Sequence, residues 1–238
     1  MSAEQRIVTD MEEPVLFLGE GNFSFSIAIA ARRGSWKNIS ATVNHEVKEN
    51  TAHRQLLAQI DNVIGMNPPP TDVLDRIRAI VSLRKGKPTR VGNVDATNLS
   101  AFFDNASERE KFRKNIYFQC PWIHPGSQSV FLKEIITSAA NVQIPTNYLY
   151  FGLTSHWAYA ANYELNGVIE HAKTKGYKLL ENDNSITATA IAYGYHHHSD
   201  SGNDIHTQLL PWHYTLCLMK EGTEDTENLV SSVSLLVI

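Results

Sequence analysis

The chain has 238 residues, 42% hydrophobic and 19% charged, with a formal net charge of -4. That balance is ordinary for one large globular α/β domain. It excludes two classes. The only two cysteines, Cys120 and Cys217, are far apart in apolar surroundings, so they read as reduced core thiols of a cytosolic or nuclear protein and not as a disulfide framework. No apolar run approaches the ~20 residues needed to cross a bilayer.

The opening MSAEQRIVTDMEEP is polar and acidic, without a signal-peptide pattern; residues 1–13 read as a flexible lead. The domain proper is expected over 14–220. Val15-Leu16-Phe17-Leu18 is a short apolar run that suits a buried strand. Gly19 and Gly21 follow, then Asn22-Phe23-Ser24-Phe25-Ser26 and an alanine/isoleucine run that suits a helix. Strand, glycine turn and helix open a nucleotide-binding α/β domain: Gly19 permits the turn, Gly21 lets a ligand approach the backbone, and free N–H groups of the first helical turn face it. Ser24 stands where the dinucleotide fingerprint has its third glycine, so the turn alone also suits plain helix-on-sheet packing.

Ile39 to Val43 is a second strand, ending Asn44-His45-Glu46. Rossmann-like folds carry here an acidic residue that grips the ribose hydroxyls, which makes Glu46, beside His45, the candidate. Lys48 to Gly65 reads as a helix with Leu56, Leu57, Ile60, Val63 and Ile64 on one stripe. Three prolines at 68–70 break it, and Asp72 to Leu83 reads as a second amphipathic helix. Arg76, Arg78, Arg84, Lys85, Lys87 and Arg90 lie within fifteen residues, a solvated face or a local basic patch on an otherwise acidic chain. Thr89 to Val94 is the third strand, with Asp95-Ala96-Thr97 at the carboxyl end, where open α/β sheets place ligands; Asp95 reads as a ligand carboxylate, a helix N-cap, or both.

Ile116 to Cys120 is the fourth strand, with Gln119-Cys120-Pro121-Trp122 at its end. Ser127 to Asn141 is a helix, Asn147 to Leu153 the fifth strand, and Tyr159 to Lys175 a helix closed by Gly176. Ile186 to Tyr193 is strand-like and Trp212 to Met219 the last strand, giving a closing pair with no helix between. Residues 221–238 form an acidic linker and an apolar tail. Of ten histidines, five stand at 196, 197, 198, 206 and 213. Consecutive strand positions point to alternate sides and no cysteine lies at ligand spacing, so no metal is expected; they read as a polar loop or as one histidine facing a substrate.

The string GEGNFSFS at 19–26 is more specific than two glycines. It resembles the signature of the BMT5-like family of rRNA (uridine-N3)-methyltransferases. Val91-Gly92-Asn93-Val94-Asp95-Ala96-Thr97-Asn98-Leu99, Ile116-Tyr117-Phe118-Gln119-Cys120-Pro121-Trp122-Ile123 and Tyr193-Gly194-Tyr195-His196-His197-His198 are similar to three further segments of that family, in order. The resemblance implies a Rossmann-like class I fold: a seven-stranded, mostly parallel sheet with a C-terminal antiparallel hairpin and helices on both faces. It implies S-adenosylmethionine as cofactor on Gly19, Glu20, Gly21, Asn22, Phe23, Ser24, His45, Glu46, Asp95, Ala96 and Gln119. The family usually has an aspartate about at His45, so this is a departure. It implies an RNA base near Gln119, Pro121 and Trp122, whose ring would stack on it. It also implies a site of action in the cytoplasm, nucleus or nucleolus. Uridine N3 must lose a proton, and a neutral histidine at 124 or 198 suits that step. Two other readings stand beside it: a methyltransferase of a small molecule or protein, and a Rossmann-like binding module without the cofactor.

Overall fold

The computed structural model describes residues 1–21, 23–44, 49–66, 81–86, 88, 90–103, 106–121, 127–155, 157–180, 182–196 and 213–222. All four residues of β1 (Val15–Leu18) are buried. A strand apolar on both faces belongs inside a parallel sheet covered on both sides, and β1 lies between β2 (Ile39–Asn44) and β4 (Asn115–Gln119), parallel to each. Phe17 is in register with Ala41 on one side and Tyr117 on the other. With β3 (Arg90–Val94), β5 (Tyr148–Thr154), β6 (Tyr177–Leu179) and β7 (His213–Lys220), the described residues form a seven-stranded sheet in the order β3-β2-β1-β4-β5-β7-β6. Only β7 runs antiparallel, against β5 and β6.

Among the described residues the helices include α1 (Ser24–Arg33), α2 (Glu49–Met66), α3 (Leu99–Phe102), α4 (Ala106–Phe112), α5 (Gln128–Ala140), α6 (Trp157–Tyr163), α7 (Leu165–Thr174) and α8 (Ser185–Ala192). Strand alternation sends Phe17, Tyr117 and Tyr150 to one face, into a core with α1, α2 and α8. Leu16, Leu18, Ile116, Phe118 and Phe151 go to the other face, packed with α5 and α7. The fold is therefore the expected doubly covered Rossmann-like sheet. Among the described residues no helix is long and apolar enough to cross a membrane.

Three expectations need correction. The strand-like stretch 186–193 is helix α8; the sheet's closing pair is β6 with β7, and α8 lies between them. The sequence SITATAIA is rich in β-branched residues and has no polar stripe, so its period is unreadable; it is helical because Ile186, Thr187 and Ala190 bury one side against the sheet. The lead is not free of the domain. Gln5–Thr9 forms a turn of π-helix whose Ile7 and Val8 are fully buried. Arg33 at the end of α1 holds it, Nε donating to the Ile7 carbonyl at 3.1 Å and Nη2 to the Arg6 carbonyl at 2.8 Å. The helix expected over 159–175 is broken into α6 and α7 at Glu164, which takes φ 46°. The segment 67–80, and with it most of the second amphipathic helix, lies outside the described residues, as do Arg76, Arg78 and Lys87 of the basic run and residues 223–238 of the tail.

Candidate active site

In an open α/β sheet, ligands sit outside the carboxyl ends of the strands where the strand order reverses. Here that point lies between β1 and β4. Gly19, at the exit of β1, has φ +64°, and a Cβ there would stand 2.2 Å from Cε2 of Phe118 on β4. Both the backbone conformation and the close approach of the neighbouring strand require glycine. The Glu20 amide donates to the Thr42 carbonyl at 2.8 Å and ties the turn to β2. At Gly21 a Cβ would meet nothing within 4 Å, so the turn's open side lies there.

Two non-glycine residues around the crevice are left-handed: Phe23 with φ 61° and Cys120 with φ 48°. Each such residue costs roughly 1–2 kcal/mol and persists only where its surroundings over-determine it. Phe23 precedes α1 with its ring fully buried. Cys120 ends β4, its amide donating to the Gly152 carbonyl at 2.8 Å. Burial pushes its thiol up to about 12, which leaves it a neutral thiol and no nucleophile at neutral pH.

Glu20 is buried at 5% exposure. Its Oε2 accepts from the Ser26 amide in the first turn of α1 at 3.1 Å, while Oε1 has no partner among the described residues. Burial raises the carboxyl to about 7, against the pull of the Ser26 hydrogen bonds. A helix N-terminus that already holds a carboxylate is a poor seat for phosphate.

Gln119 is held on both sides. Its Oε1 accepts from the Tyr117 hydroxyl at 3.0 Å, and its Nε2 donates to the Tyr195 hydroxyl at 3.2 Å and toward Cys120 Sγ at 3.4 Å. A Cβ at Gly152 on β5 would lie 2.0 Å from Gln119 Oε1, so that glycine makes room for the amide. Tyr195 is buried, edge-on to Phe25 with centroids 5.1 Å apart. Gly194 has φ +99°, and a Cβ there would fall 1.8 Å from the Val63 carbonyl of α2. Ser24 Oγ donates to the His196 carbonyl at 3.3 Å. Residues 194–196 thus clamp the glycine turn and the exit of β4 together.

At the exit of β3, Asp95 Oδ1 accepts from the Thr97 amide at 2.8 Å and from the Thr97 hydroxyl at 2.6 Å. It caps the short 3-10 turn Ala96–Asn98. Asp95 belongs to the same sheet edge, two strands from β1, or roughly 10 Å at the usual strand spacing.

Of the residues singled out from sequence, Gly19, Glu20, Gly21, Ser24 and Gln119 meet at one crevice. The Phe23 ring is buried in the core on the α1 side of the sheet. Pro121 and Ala96 are buried. Asn22, His45, Glu46, Trp122, His124 and His198 lie outside the described residues. Sequence reasoning missed Tyr117 and Tyr195 as the holders of Gln119. Tyr195 lies in the fourth matched segment, so the clue was present, but its partner is 76 residues away.

A family model described as rRNA (uridine-N3-)-methyltransferase BTM5-like matches residues 16–198. No curated protein matches the chain by sequence. Among similar solved structures is a SAM-dependent methyltransferase from Methanosarcina mazei, 12% identical over 94% of this chain and 99% of that one, with a TM-score of 0.50. The aminoglycoside resistance methyltransferase NpmB1 is 12% identical over 91% of each chain, with a TM-score of 0.46. A 16S rRNA (adenine(1408)-N(1))-methyltransferase from Catenulisporales acidiphilia, solved with cosubstrate SAM, is 10% identical over 93% of this chain and 91% of that one, with a TM-score of 0.45. At these identities the likeness is one of fold.

Proposed function

As a member of the BMT5-like family, the chain is an S-adenosylmethionine-dependent methyltransferase acting on rRNA, and we propose that its target atom is N3 of a uridine. The observation that carries this reading is the family match over 16–198, which contains all four resembling segments. The crevice fits the cofactor: an open backbone face at Gly21, a buried carboxylate with an unused oxygen at Glu20, and a second carboxylate at Asp95. When bound, S-adenosylmethionine supplies an electrophilic methyl group on a sulfonium.

The chain's own residues position and deprotonate. Gly19 and Gly21 would let the cofactor lie against the first bend, and Asp95, whose Oδ1 is committed to Thr97, would hold the adenine amino group. Gln119, fixed between the Tyr117 and Tyr195 hydroxyls, would position the uracil edge beside N3 at the exit of β4. Trp122 stacks on the base, and His124 or His198 takes the N3 proton. Much of the acceleration comes from holding nitrogen and methyl in line.

The test is incubation with methyl-labelled S-adenosylmethionine and total RNA, then nuclease digestion and nucleoside analysis. Label is expected in 3-methyluridine. Label in other nucleosides, or cofactor binding by calorimetry with no labelled RNA, overturns the target assignment in favour of another acceptor. No cofactor binding at all overturns the enzyme reading. Two variants probe the parts. Tyr195→Phe keeps the ring against Phe25 but frees the Gln119 amide, so kcat is expected to fall about tenfold with little change in KM for RNA; an unchanged kcat refutes the role. Asp95→Ala is expected to cost about 1 kcal/mol in denaturant unfolding through the lost cap and to weaken cofactor binding in calorimetry about tenfold; a stability loss with unaltered affinity assigns Asp95 to the cap alone.

A further inference from the structure

The basic run noted in the sequence takes no part in the crevice. Two of its members, Arg84 and Lys85, are exposed, and the fold brings lysines from two other segments to the same place. Residues 35–38, leading into β2, residues 82–86 and Lys111 on α4 surround a cavity of about 440 Å³. Lys37 and Lys111 line it, with Trp36, Asn38, Ser82 and Gly86. Among the described residues no carboxylate lines it. Its walls are fixed by hydrogen bonds to the backbone. Trp36 is 3% exposed and its Nε1 donates to the Leu83 carbonyl at 3.1 Å. Ser82 Oγ donates to the Gly34 carbonyl at 3.1 Å, and Asn38 Nδ2 to the Met11 carbonyl at 3.0 Å. A Cβ at Gly86 would stand 3.2 Å from Trp36 Cδ1, so glycine lets the two segments close up. Apart from Trp36 the lining is polar, which suits a charged ligand better than an apolar one.

We propose that this basic cavity holds the phosphate backbone of the RNA away from its reacting base: Lys37 and Lys111 each neutralise a phosphate, and Arg84 and Lys85 extend the track. The claim rests on the rRNA reading above and adds to it the surface that anchors the substrate. Three observations agree. Four cations from three segments meet on a chain whose net charge is -4, and a local concentration of positive charge steers a polyanion to that face. The two lining lysines are lightly committed. Lys37 pairs with Glu12 at 2.6 Å, but the two side chains are 55% and 71% exposed, and a phosphate displaces so well-solvated a partner at little cost. Lys111 forms no ion pair among the described residues. The third observation is place. Trp36 to Asn38 lead into the start of β2, whereas the crevice lies at the strand exits. Six residues of β2 separate the two levels, or roughly 20 Å at the usual rise per residue. The cavity is thus too far to touch the reacting base and near enough for one RNA molecule to fill both.

The experiment is filter binding of total rRNA to the full chain across a salt series, with methyl transfer to the same RNA. Lys37→Gln combined with Lys111→Gln removes two charges from the cavity. Lys173→Gln combined with Lys178→Gln removes two from α7 and β6, at the other end of the strand order, and is the control. The cavity pair is expected to bind about 10- to 30-fold more weakly at physiological salt, with the slope of log K against log salt shallower by about 2, while the control stays within about twofold. KM for RNA rises in step, and kcat at saturating RNA is unchanged, because neither lysine reaches the crevice. Glu12→Gln removes the competing carboxylate and is expected to tighten binding about 2- to 5-fold, a gain that a misfolded protein does not give. Unchanged affinity and slope in the cavity pair overturn the proposal. So do equal losses in the control, which would mean a diffuse field. Competition by inorganic phosphate beyond that of chloride at equal ionic strength would make the cavity a phosphate-ion site and also overturns it. If the wild type holds and methylates rRNA and every variant matches it, this surface alone fails; if the wild type holds no RNA, the rRNA reading fails with it.

Discussion

Gly19→Ala is expected to cost roughly 2–5 kcal/mol of stability and to abolish cofactor binding. Two independent penalties add. A left-handed conformation at a residue with a Cβ costs about 1–2 kcal/mol, and φ is +64° here. The new methyl would also stand 2.2 Å from Phe118 Cε2, well inside contact distance, and overpacking of a filled core costs about 1–3 kcal/mol. The Phe118 ring cannot swing away cheaply, because it is 6% exposed and packs edge-on to Phe131 at 6.0 Å. For a chain of this size the loss corresponds to a fall in Tm of roughly 4–20 °C, read by calorimetric scans with and without S-adenosylmethionine. The double variant with Phe118→Ala separates the two terms. It removes the collision but leaves the dihedral penalty, so the two changes together are expected to cost about 1–3 kcal/mol less than their sum. Strict additivity would mean that the strands do not meet at this point.

The same contact explains why the first bend was legible and much of its surroundings was not. Val15 to Ser26 carries its instructions locally: an apolar run buried on both faces, a glycine forced by φ, and a helix beginning at once. Gln119 was legible for the same reason, since it follows directly on an apolar strand. What secures Gln119 was not, because Tyr117, Tyr195 and Gly152 come from three elements and meet only when the sheet has formed. Stretch 186–193 fails differently. Its isoleucines and threonines favour a strand by propensity, yet packing on α1 and the sheet decides for a helix, a tertiary override that a single sequence does not display. The first thirteen residues looked polar because Arg6, Glu4 and Asp10 surround Ile7 and Val8; their docking depends on Arg33, 26 residues away from Ile7. Local chemistry was readable, and chemistry assembled from distant elements was not.

Glu20→Gln is expected to make the ligand-free protein more stable, by an amount that grows with pH. In the folded protein the Glu20 carboxyl is raised from its ordinary 4.5 to about 7. Between those two values the folded form keeps a proton that the unfolded chain has released. Stability is therefore lost as pH rises from about 4.5 through about 7, and the loss is complete above that. A displacement of that size corresponds to about 3 kcal/mol at 1.36 kcal/mol per pH unit. Glutamine does not ionise, so its advantage over the wild type is expected to widen by about 2.5 kcal/mol between pH 5 and pH 8, read from denaturant unfolding at each pH. The Tyr195 hydroxyl feels this charge, and burial keeps it neutral throughout the range, so it adds no titration of its own to the comparison. Parallel stability curves for the two proteins from pH 5 to 8 would show instead that Glu20 is solvated, with no charge stored in the turn.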